Sequence, residues 1–497
     1  MNEKLIAAYD FGTSGCKLAL IDFFGAVRAS ASSSYCFETP HLGWAEQDPT
    51  VYWDALCKVT PAALAYGGLS KDCICAAVFA TIWKGIIPVD RNGQPLRNNI
   101  LWLDGRAKKE AAELNEKLGI DILSHKDYWP KLLWYLRNEP KKYENTHIIF
   151  DVNSYLCFLL TGEAAVSSAN HFTKSEDPIS QQAYDRFFKV SEIEKKLFPL
   201  MVSPSDEIGR ITQQASAMTG LPEGIPVFAG CTDVMAIPVG VGASVVGSSH
   251  VYLGTSGWFG QITPISKRKS CFLASPYTPA SDVTIYGLNA ACTAIDWAIA
   301  RFYPQELAEM GMEIYSFLEK DLAKVPAGSD GLIATTWLYN ERPPVYEKAR
   351  GLYLNISCHH ERQHFVNAMR ESVAYMLRWK KELMEQVSGI QSSTIRVAGG
   401  GARSSHWMQI LANVLNIPVE ITAAPQYAGA LGAASCALIG LKELSSFEDM
   451  GKVIHASKCF WPDEQNEIYN NFYDAYRELP VLNGIFDKLN KGMNEKI

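Results

Sequence analysis

The sequence lacks the cysteine spacing that would indicate a disulfide framework or a zinc site. Its 12 cysteines are spread over 497 residues, none forms a Cys-x-x-Cys pair, and the closest two are Cys73 and Cys75. Disulfide-rich domains and zinc sites need denser or more regular spacing than this. The sequence therefore predicts a protein of a reducing compartment, and the cytoplasm fits best.

A surplus of positive charge is also absent. The chain has 46 Lys and Arg against 53 Asp and Glu, which gives a net charge of -7. The long-range field of such a chain repels nucleic-acid backbones and anionic membranes. We therefore expect no nucleic-acid or membrane partner, and any phosphate group must be bound by local groups.

Segments that direct secretion or cross a membrane are missing as well. The N-terminal MNEKLIAAYD has too short an apolar run, with acidic residues too early, for a secretory signal. Residues 234–266 contain no Asp, Glu, Lys or Arg, but they include six glycines and two prolines. This mix favours buried strands and turns over a continuous membrane helix. We expect the stretch to form a domain core with a turn that faces phosphate.

The length and composition predict an ordinary globular protein with more than one domain. Apolar residues make up 47% of the chain and charged residues 20%, which is typical of folded proteins. A chain of 497 residues is longer than a single hydrophobic core usually grows. At least two domains, with a cleft between them, are therefore expected.

The strongest architectural signal is an internal repeat. Gly12-Thr13-Ser14-Gly15 recurs as Gly254-Thr255-Ser256-Gly257, and each copy lies between apolar, strand-like segments. In the first copy, strands predicted at 4–9, 17–21 and 27–35 form a three-stranded meander. Strand and helix signals alternate in both halves, which predicts α/β domains. Further strands are predicted at 76–80, 85–89, 225–230 and 394–398, and helices at 52–66, 131–136 and 364–387.

The repeated turn is a candidate phosphate site. Asp10 ends the first strand, and backbone N–H groups of the following Gly-Thr-Ser-Gly turn can approach phosphate oxygens. Thr13, Ser14 and Lys17 can add side-chain donors. A tight hairpin with a capping aspartate explains one copy equally well. Two copies favour a triphosphate held from both sides of a cleft.

Other glycine-rich segments fall short of the known nucleotide motifs. No complete Walker A sequence and no Gly-x-Gly-x-x-Gly occurs, so a P-loop or Rossmann site is not supported. Gly399 to Gly401 nevertheless stand between a predicted strand and a predicted helix. Such a turn directs backbone N–H groups and the helix dipole towards one point.

Asp233 is the candidate catalytic carboxylate. It follows the predicted strand 225–230 and lies beside the stretch without charged residues. A buried carboxylate is costly unless it has a chemical role or a partner. A core aspartate that caps a helix is the alternative, and the pattern alone leaves both open.

Taken together, these segments resemble the FGGY carbohydrate kinases, and among them the xylulokinases most closely. The resemblance runs along nearly the whole chain, through AYDFGTSGCKLALID, HLGWAEQDPTVYW, ILWLDGR, PKLLWYLRNEP, LTGE, AGCTDVMAIPVGVG, YLGTSGW, YNERPP, RVAGGGARSSHWMQILANVL and GALGAA. It implies an α/β protein with two ribonuclease H-like domains of the actin-like ATPase superfamily that close over ATP and a sugar. We place the domains at 1–245 and 246–443, with a helical segment at 444–497 that packs back.

The resemblance also implies roles for matching positions. Asp10 would hold Mg²⁺ through water, Asp233 would be the catalytic base, and Gly12, Thr13 and Ser14 with Lys17 would form a phosphate loop. In the second domain, Gly254 and Thr255 would contact phosphate, and the nucleoside pocket would include Gly400, Gly401 and Ser404. The implied activity is Mg²⁺- and ATP-dependent phosphorylation of a hydroxyl of a sugar, ketose, polyol or sugar acid.

The sugar pocket departs from the xylulokinase pattern. Trp83 and Lys84 stand where those enzymes have Met-His, Leu103 replaces an Asn before the Asp104-Gly-Arg segment, and Val234 replaces an Asn after the base. Trp83, Lys84, Asp104 and Asp233 are the predicted acceptor contacts. Ordinary core packing of Trp83 and a solvated Lys84 are the alternatives. We expect D-xylulose to be a poor substrate, and either an acceptor with fewer hydroxyls or an anionic acceptor bound by Lys84 to be preferred.

Two other classes of protein are compatible with an ATP-binding fold. One is a nucleotide-gated binding protein that has lost phosphoryl transfer, and the other is a hydrolase of nucleoside phosphates. Asp233 argues against both, because a base beside an acceptor hydroxyl serves neither. The expected partner is a small-molecule sugar or polyol, and a homodimer is left open.

Overall fold

The computed structural model describes residues 4–121, 123–170, 178–267, 276–278, 281–338, 341, 345 and 349–490. The chain forms two compact units. Unit 1 consists of Met1–Ser244, Thr263–Val283 and Tyr427–Ile454, and unit 2 of Val245–Ile262, Thr284–Gln426 and His455–Ile497. The domain limits predicted near residues 245 and 443 stay predictions.

Unit 1 is built on a mixed β-sheet. In spatial order its strands are Glu207–Arg210, Pro226–Phe228, Ile74–Thr81, Leu5–Phe11, Gly15–Asp22 and Val27–Ser34, and Cys231–Thr232 also pairs with Ile74–Thr81. Leu5–Phe11 is almost wholly buried, as expected for an apolar strand at the centre of a sheet. Short strand pairs are formed by Glu46–Gln47 with Asn99–Ile100, Ile87–Val89 with Ile148–Phe150, and Ala165–Ser167 with Leu200–Val202.

Helices complete unit 1. They are Thr50–Gly67, Lys108–Leu118, Tyr128–Asn138, Pro140–Glu144, Val152–Thr161, Pro178–Ser191, Gln213–Thr219, Asp233–Gly240, Ala428–Gly440 and Met450–Val453. Local sequence explains several helix ends. Asp151 and Ser154 form a capping box at the start of Val152–Thr161, and Gly68 ends Thr50–Gly67 in the left-handed conformation. Tyr9 of the central strand donates or accepts a 2.7 Å hydrogen bond with Thr60 on that helix.

Unit 2 repeats the same local arrangement around a second sheet. The strands of this second sheet run in the order Pro276–Thr278, Ser281–Leu288, Gly257–Pro264, Ser249–Leu253, Ile395–Ala398, Val419–Thr422 and Ala456–Phe460. In both units a Gly-Thr-Ser turn joins an antiparallel hairpin, and the first strand of that hairpin has a parallel strand on its other side. The internal repeat is therefore visible in the topology.

The helices of unit 2 centre on the long helix Arg362–Ser388. The others are Cys292–Phe302, Pro304–Met310, Ile314–Leu322, Ser405–Leu415, Asn466–Glu478 and Asn483–Asn490. The small strands are Ile333–Ala334 and Tyr353–Leu354. Single 3-10 turns lie at Lys71–Cys73, Lys195–Leu197, Ile265–Lys267, Gly311–Glu313, Ser329–Gly331, Gly400–Arg403, Pro425–Tyr427, Phe447–Asp449 and Leu479–Leu482.

Most elements predicted from the sequence are found. The meander pairs as expected, with Leu5–Phe11 antiparallel to Gly15–Asp22 and Gly15–Asp22 antiparallel to Val27–Ser34. The stretch 234–266 does contain two strands, but it starts within the helix Asp233–Gly240, which the prediction did not include. Within the described part of the chain, no helix combines the length and apolarity required to cross a membrane. Part of the YNERPP segment lies outside the described residues.

A buried carboxyl group on the long helix of unit 2 accepts a hydrogen bond from the helix Asn466–Glu478. Glu371 accepts hydrogen bonds from the backbone N–H of Gly328 (3.0 Å), the Ser329 hydroxyl (2.9 Å) and the Tyr469 hydroxyl (3.3 Å). Its burial raises the pKa of Glu371 to about 8, against the lowering effect of these donors. The folded protein therefore binds a proton at Glu371 more tightly than the unfolded chain does.

This pKa shift predicts a pH dependence of stability. A carboxyl group whose pKa rises on folding stabilises the protein most below its unfolded pKa, and that contribution is lost as the pH rises through the folded value. Relative to Glu371→Gln, the free energy of unfolding of the wild type should fall by up to about 1.4 kcal/mol per pH unit between pH 5 and 8. Urea unfolding of both proteins across this range measures the difference, and parallel profiles would contradict it.

Candidate active site

Three parallel strands of unit 1 end at one edge of the sheet. Leu5–Phe11 pairs with Ile74–Thr81 so that Phe11 lies opposite Thr81, and Thr81 in turn lies opposite Thr232. The carboxyl ends of these strands therefore coincide. This register places three features at the same edge of the sheet: Asp10, the segment after Thr81, and Asp233. In α/β proteins, ligands bind at this edge, outside the carboxyl ends of the strands.

Asp233 occupies the first position of the helix Asp233–Gly240, where the helix dipole favours a negative charge. Its carboxylate accepts a 2.8 Å hydrogen bond from the backbone N–H of Val234. Burial, assisted by repulsion from Asp10, raises the pKa of Asp233 to about 7 despite that bond. A carboxyl group with such a pKa can accept a proton near neutral pH, as a general base must.

The pKa of Asp233 predicts the pH profile of catalysis. A base must be deprotonated to act, so kcat/KM for the acceptor should fall about tenfold per pH unit below pH 7 and level off above it. Initial rates at saturating nucleotide between pH 5 and 9 measure this profile. An activity that stays constant down to pH 5 would contradict the assignment.

Asp10 lies opposite Lys17 in the first hairpin. Side chains of directly opposed residues share one face of a sheet. Burial raises the pKa of Asp10, and the nearby Lys17 ammonium acts in the opposite direction. Gly429, at the start of the helix Ala428–Gly440, approaches so closely that a β-carbon there would lie 2.5 Å from the Asp10 carboxylate. Because residue 429 has no side chain, the Asp10 carboxylate can occupy the space that a β-carbon would fill.

The donor set around Asp10 fits a magnesium ion that is held largely by water and substrate. Mg²⁺ is commonly bound by one or two carboxylates together with waters and nucleotide phosphates. Among the residues that the structure describes, no group of three or more His, Cys, Asp or Glu could hold a metal ion by itself. The single carboxylate of Asp10 is consistent with the first arrangement and not with an all-protein cage.

The first Gly-Thr-Ser turn is tight, and some of its polar groups already form hydrogen bonds within the protein. The backbone N–H of Gly12 donates to the carbonyl of Gly15 at 2.9 Å. The Thr13 hydroxyl accepts a 3.0 Å hydrogen bond from the Trp102 indole, whereas Ser14 is exposed. A β-carbon at Gly12 would meet only the Gly15 carbonyl, at 3.5 Å. The hairpin is therefore formed, and the space above Gly12 is compatible with an incoming phosphate.

Lys84, one of the residues predicted to contact the acceptor, already has partners within the protein. The Lys84 ammonium forms an ion pair with Asp127 and lies 4.5 Å from the centre of the Trp83 ring. Lys84 also has a φ of 66°, which is uncommon for a residue with a side chain. Its charge is thus already compensated by a buried carboxylate.

Asp104 is held entirely by the protein. Both of its oxygens accept from the Arg106 guanidinium, at 2.8 and 2.7 Å, and they also accept from the backbone N–H groups of Ala45 and Arg106. Arg106 itself is stacked 3.7 Å from the Trp44 ring. Four donors occupy the four lone-pair positions of a carboxylate. A direct contact of Asp104 with the acceptor stays a prediction, and this bonding favours a supporting role.

In unit 2 the second Gly-Thr-Ser turn lies next to the glycine-rich segment. Gly254 is required locally, because a β-carbon there would lie 2.4 Å from the Tyr252 hydroxyl, while Thr255 is exposed. Gly399 follows the adjacent strand with a φ of 96° and packs on the carbonyl of Leu253. The structure thus brings together the two segments that were predicted to bind nucleotide in this unit.

The three predicted nucleoside contacts differ in their surroundings. A β-carbon at Gly400 would meet no heavy atom within 4 Å, whereas one at Gly401 would lie 2.7 Å from Trp407. The Ser404 hydroxyl accepts from the backbone N–H of Trp407 as a helix cap and donates to Glu319 at 2.6 Å. Of the three, Gly400 has the freest surroundings for a ligand, while Gly401 and Ser404 also serve packing and capping.

Sequence reasoning gave no role to several residues that shape this region. Lys131 is fully buried and donates to the carbonyls of Lys84 (3.1 Å) and Leu101 (2.7 Å), and burial lowers the pKa of Lys131 to about 7. Asp127, Gly429 and the buried Asn170 were likewise not singled out. The lysine within the apolar segment PKLLW was an available signal for Lys131, because a charge among core residues needs partners.

Family models match both halves of the chain. The model described as the N-terminal domain of the FGGY family of carbohydrate kinases covers residues 5–240, and that of the C-terminal domain covers residues 250–441. The chain is 26% identical to the xylulose kinase of Bacillus subtilis (strain 168) over 96% of both chains. It is 25% identical to the L-xylulose/3-keto-L-gulonate kinase of Escherichia coli (strain K12) over 95% of both chains.

Solved structures show the same fold. The ligand-bound xylulose kinase from Lactobacillus acidophilus matches with a TM-score of 0.82 and 22% identity, over 98% of this chain and all of that one. The gluconate kinase from the same organism matches with a TM-score of 0.81 and 22% identity, over 99% and 100%. The predicted α/β fold of the actin-like ATPase superfamily is confirmed. The chain belongs to the FGGY family of carbohydrate kinases, which are phosphotransferases that use ATP.

Proposed function

We propose that this kinase transfers the γ-phosphoryl group of Mg-ATP to a hydroxyl of a small neutral polyhydroxy compound, with Asp233 as the general base. The placement of Asp233 is the observation that carries the proposal. It is a buried carboxylate at a helix N-terminus, its pKa is raised to about 7, and it lies at the same sheet edge as Asp10. Phosphoryl transfer needs alignment and charge neutralisation more than covalent help.

The roles proposed for the other groups are those that the family resemblance implies. Asp10 would hold Mg²⁺ through water, and the bound ion would neutralise developing charge on the phosphates. The turn Gly12 to Ser14 with Lys17 in unit 1, and Gly254 and Thr255 in unit 2, would each bind phosphate. Gly400, Gly401 and Ser404 would contact the nucleoside, with Gly400 leaving the most room.

The charge around Lys84 favours a neutral acceptor over a sugar acid. A lysine that selects a carboxylate needs an uncompensated charge, but the Lys84 ammonium is paired with Asp127, whose side chain is only 1% exposed. The ammonium keeps N–H groups that could donate to a hydroxyl or carbonyl oxygen. The anionic acceptor, which the sequence left as one of two alternatives, is therefore not part of the proposal, whereas poor turnover of D-xylulose stays a prediction. The cytoplasmic location expected from the sequence also stays a prediction, and a homodimer is left open.

Coupled ADP release over a panel of acceptors tests the proposal. The panel contains D-xylulose, L-xylulose, glycerol, xylitol and gluconate, each with saturating Mg-ATP. We expect acceptor-dependent ADP release, with a neutral pentulose or polyol giving a higher kcat/KM than gluconate. Gluconate as the best acceptor would overturn the neutral-acceptor assignment and leave the kinase assignment intact. A wild-type enzyme that releases no ADP with any neutral sugar or polyol would overturn the proposed substrate class.

A further inference from the structure

Asp127 is a buried carboxylate beside one of the predicted acceptor contacts. It directly precedes the helix Tyr128–Asn138, and the positive end of a helix dipole favours a negative charge. One of its oxygens accepts a 2.7 Å hydrogen bond from the backbone N–H of Ser124, and the other forms the ion pair with Lys84. Asp127 is 1% exposed. The position of this carboxylate is therefore fixed by the fold.

The same helix holds both the side chain and the main chain of Lys84. Lys131, one turn along the helix from Asp127, donates from its buried ammonium to the carbonyl of Lys84 at 3.1 Å. The φ of Lys84 is 66°, a conformation that costs free energy in a residue with a side chain and persists where the surroundings enforce it. The hydrogen bond from Lys131 fixes the backbone of Lys84, and the ion pair with Asp127 fixes its ammonium.

Lys84 lies on the acceptor side of unit 1, and its side chain is not closed off. It follows the strand Ile74–Thr81 by three residues, and the last residue of that strand pairs with Thr232, next to Asp233. The Lys84 side chain remains 19% exposed, whereas that of Asp127 is 1% exposed. In a partly desolvated site, a charge acts on a ligand over several ångström. The net charge of the Lys84 and Asp127 pair therefore bears on any acceptor bound at this edge.

We propose that Asp127 is a positioning residue that excludes anionic acceptors, because it anchors and neutralises the ammonium of Lys84. Specificity depends on unfavourable interactions with the wrong ligand as well as on favourable ones with the right ligand. An acceptor carboxylate would have to share the Lys84 ammonium with Asp127 and would meet a second negative charge. A hydroxyl meets no such repulsion and can accept from a remaining N–H of Lys84. The inference rests on the proposed function, and it identifies the group that restricts the site to neutral acceptors.

Steady-state kinetics of Asp127→Asn with gluconate and with the best neutral acceptor of the panel above test the inference. Asparagine keeps the shape of the side chain and an oxygen that can accept from Ser124, but it carries no charge. The ratio of kcat/KM for gluconate to kcat/KM for the neutral acceptor should rise at least about tenfold, because the Lys84 ammonium is then uncompensated. The KM for ATP should change less than about twofold, since the substitution leaves the predicted nucleotide contacts intact. Lys84→Met in the Asp127→Asn background should abolish the rise, because the gain depends on the ammonium.

Asp206→Asn is the matched control, because Asp206 closes the same kind of turn on an exposed part of unit 1. Its carboxylate accepts from the backbone N–H of Ser203 at 2.7 Å, and its own N–H donates to the carbonyl of Ser203 at 3.0 Å, as in the turn from Ser124 to Asp127. This variant should leave the acceptor ratio unchanged.

An acceptor ratio in Asp127→Asn within about twofold of the wild type would overturn the inference, while wild-type activity on a neutral acceptor upholds the proposed function. An equal loss on both acceptors together with a lower melting temperature would show a purely structural role and would overturn it too. So would a rise that persists without the Lys84 ammonium. If Asp127→Asn does not fold, Asp127→Ser, which keeps a residue favoured before a helix, decides alone. Absence of wild-type activity on every neutral acceptor would instead overturn the proposed function.

Discussion

Asp233→Asn should lower kcat by about 10² to 10⁴, the usual contribution of a general base. Asparagine keeps the shape of the side chain, but it cannot take the proton from the acceptor hydroxyl. The substitution also removes a carboxylate that burial and Asp10 disfavour, since both raise its pKa to about 7. The variant should therefore be at least as stable as the wild type and bind nucleotide with similar affinity. Initial rates, thermal unfolding and nucleotide calorimetry measure the three quantities.

Glu371→Gln provides the matched control, because Glu371 is also a fully buried carboxyl group with a raised pKa, but it lies in the helical core of unit 2. This variant should change the pH dependence of stability and leave kcat within a few-fold of the wild type. If Asp233→Asn retains more than about a tenth of the wild-type kcat, Asp233 is not the base.

Gly429→Ala should reduce kcat by about a hundredfold or more and increase the Mg²⁺ concentration required for activity. The added β-carbon would lie 2.5 Å from the Asp10 carboxylate, which must then move. Small displacements of a positioning group cost large factors in rate. Alanine is otherwise the better helix former, so the helix Ala428–Gly440 itself should not be weakened. Rates measured across a magnesium titration reveal both effects.

The corresponding control is Gly484→Ala, because a β-carbon at Gly484 would meet no heavy atom within 4 Å. It should leave kcat and the magnesium dependence unchanged. Asp10→Asn should reproduce the defect of Gly429→Ala without adding bulk. Wild-type kinetics for Gly429→Ala at ordinary magnesium concentration would show that the Asp10 carboxylate has no fixed role in the reaction.

The sequence predicts the parts of the fold that depend on local patterns. The three-stranded meander follows from alternation and short turns, and the repeated Gly-Thr-Ser-Gly segment marks the equivalent hairpins of the two sheets. Asp233 was identifiable because a lone carboxylate beside an uncharged stretch is unusual. The helix Asp233–Gly240 entered only as the alternative in which Asp233 caps a helix, because Pro238 in its interior ordinarily argues against a helix.

The contacts that define the acceptor side could not be predicted in this way. Lys84 and Asp127 are 43 residues apart, and only the folded chain pairs them. Gly429 meets Asp10 although more than 400 residues separate them in the sequence. The turn that buries Asn170 and its bond to Trp83 has no periodic signal either. Polar pairs of this kind arise from tertiary packing, which is why the substrate class was harder to predict than the reaction.

Phosphorus NMR of the reaction products is the most direct test of phosphoryl transfer to a neutral hydroxyl compound. Wild-type enzyme is incubated with Mg-ATP and the best neutral acceptor of the panel, and the fate of the γ-phosphoryl group is followed. The proposed function predicts one phosphomonoester of the acceptor per ADP formed, and a rate at least about a hundredfold lower with Asp233→Asn. ADP accompanied only by inorganic phosphate would indicate hydrolysis. Unchanged ATP in the presence of bound acceptor would indicate a binding protein, and either result would contradict the proposal.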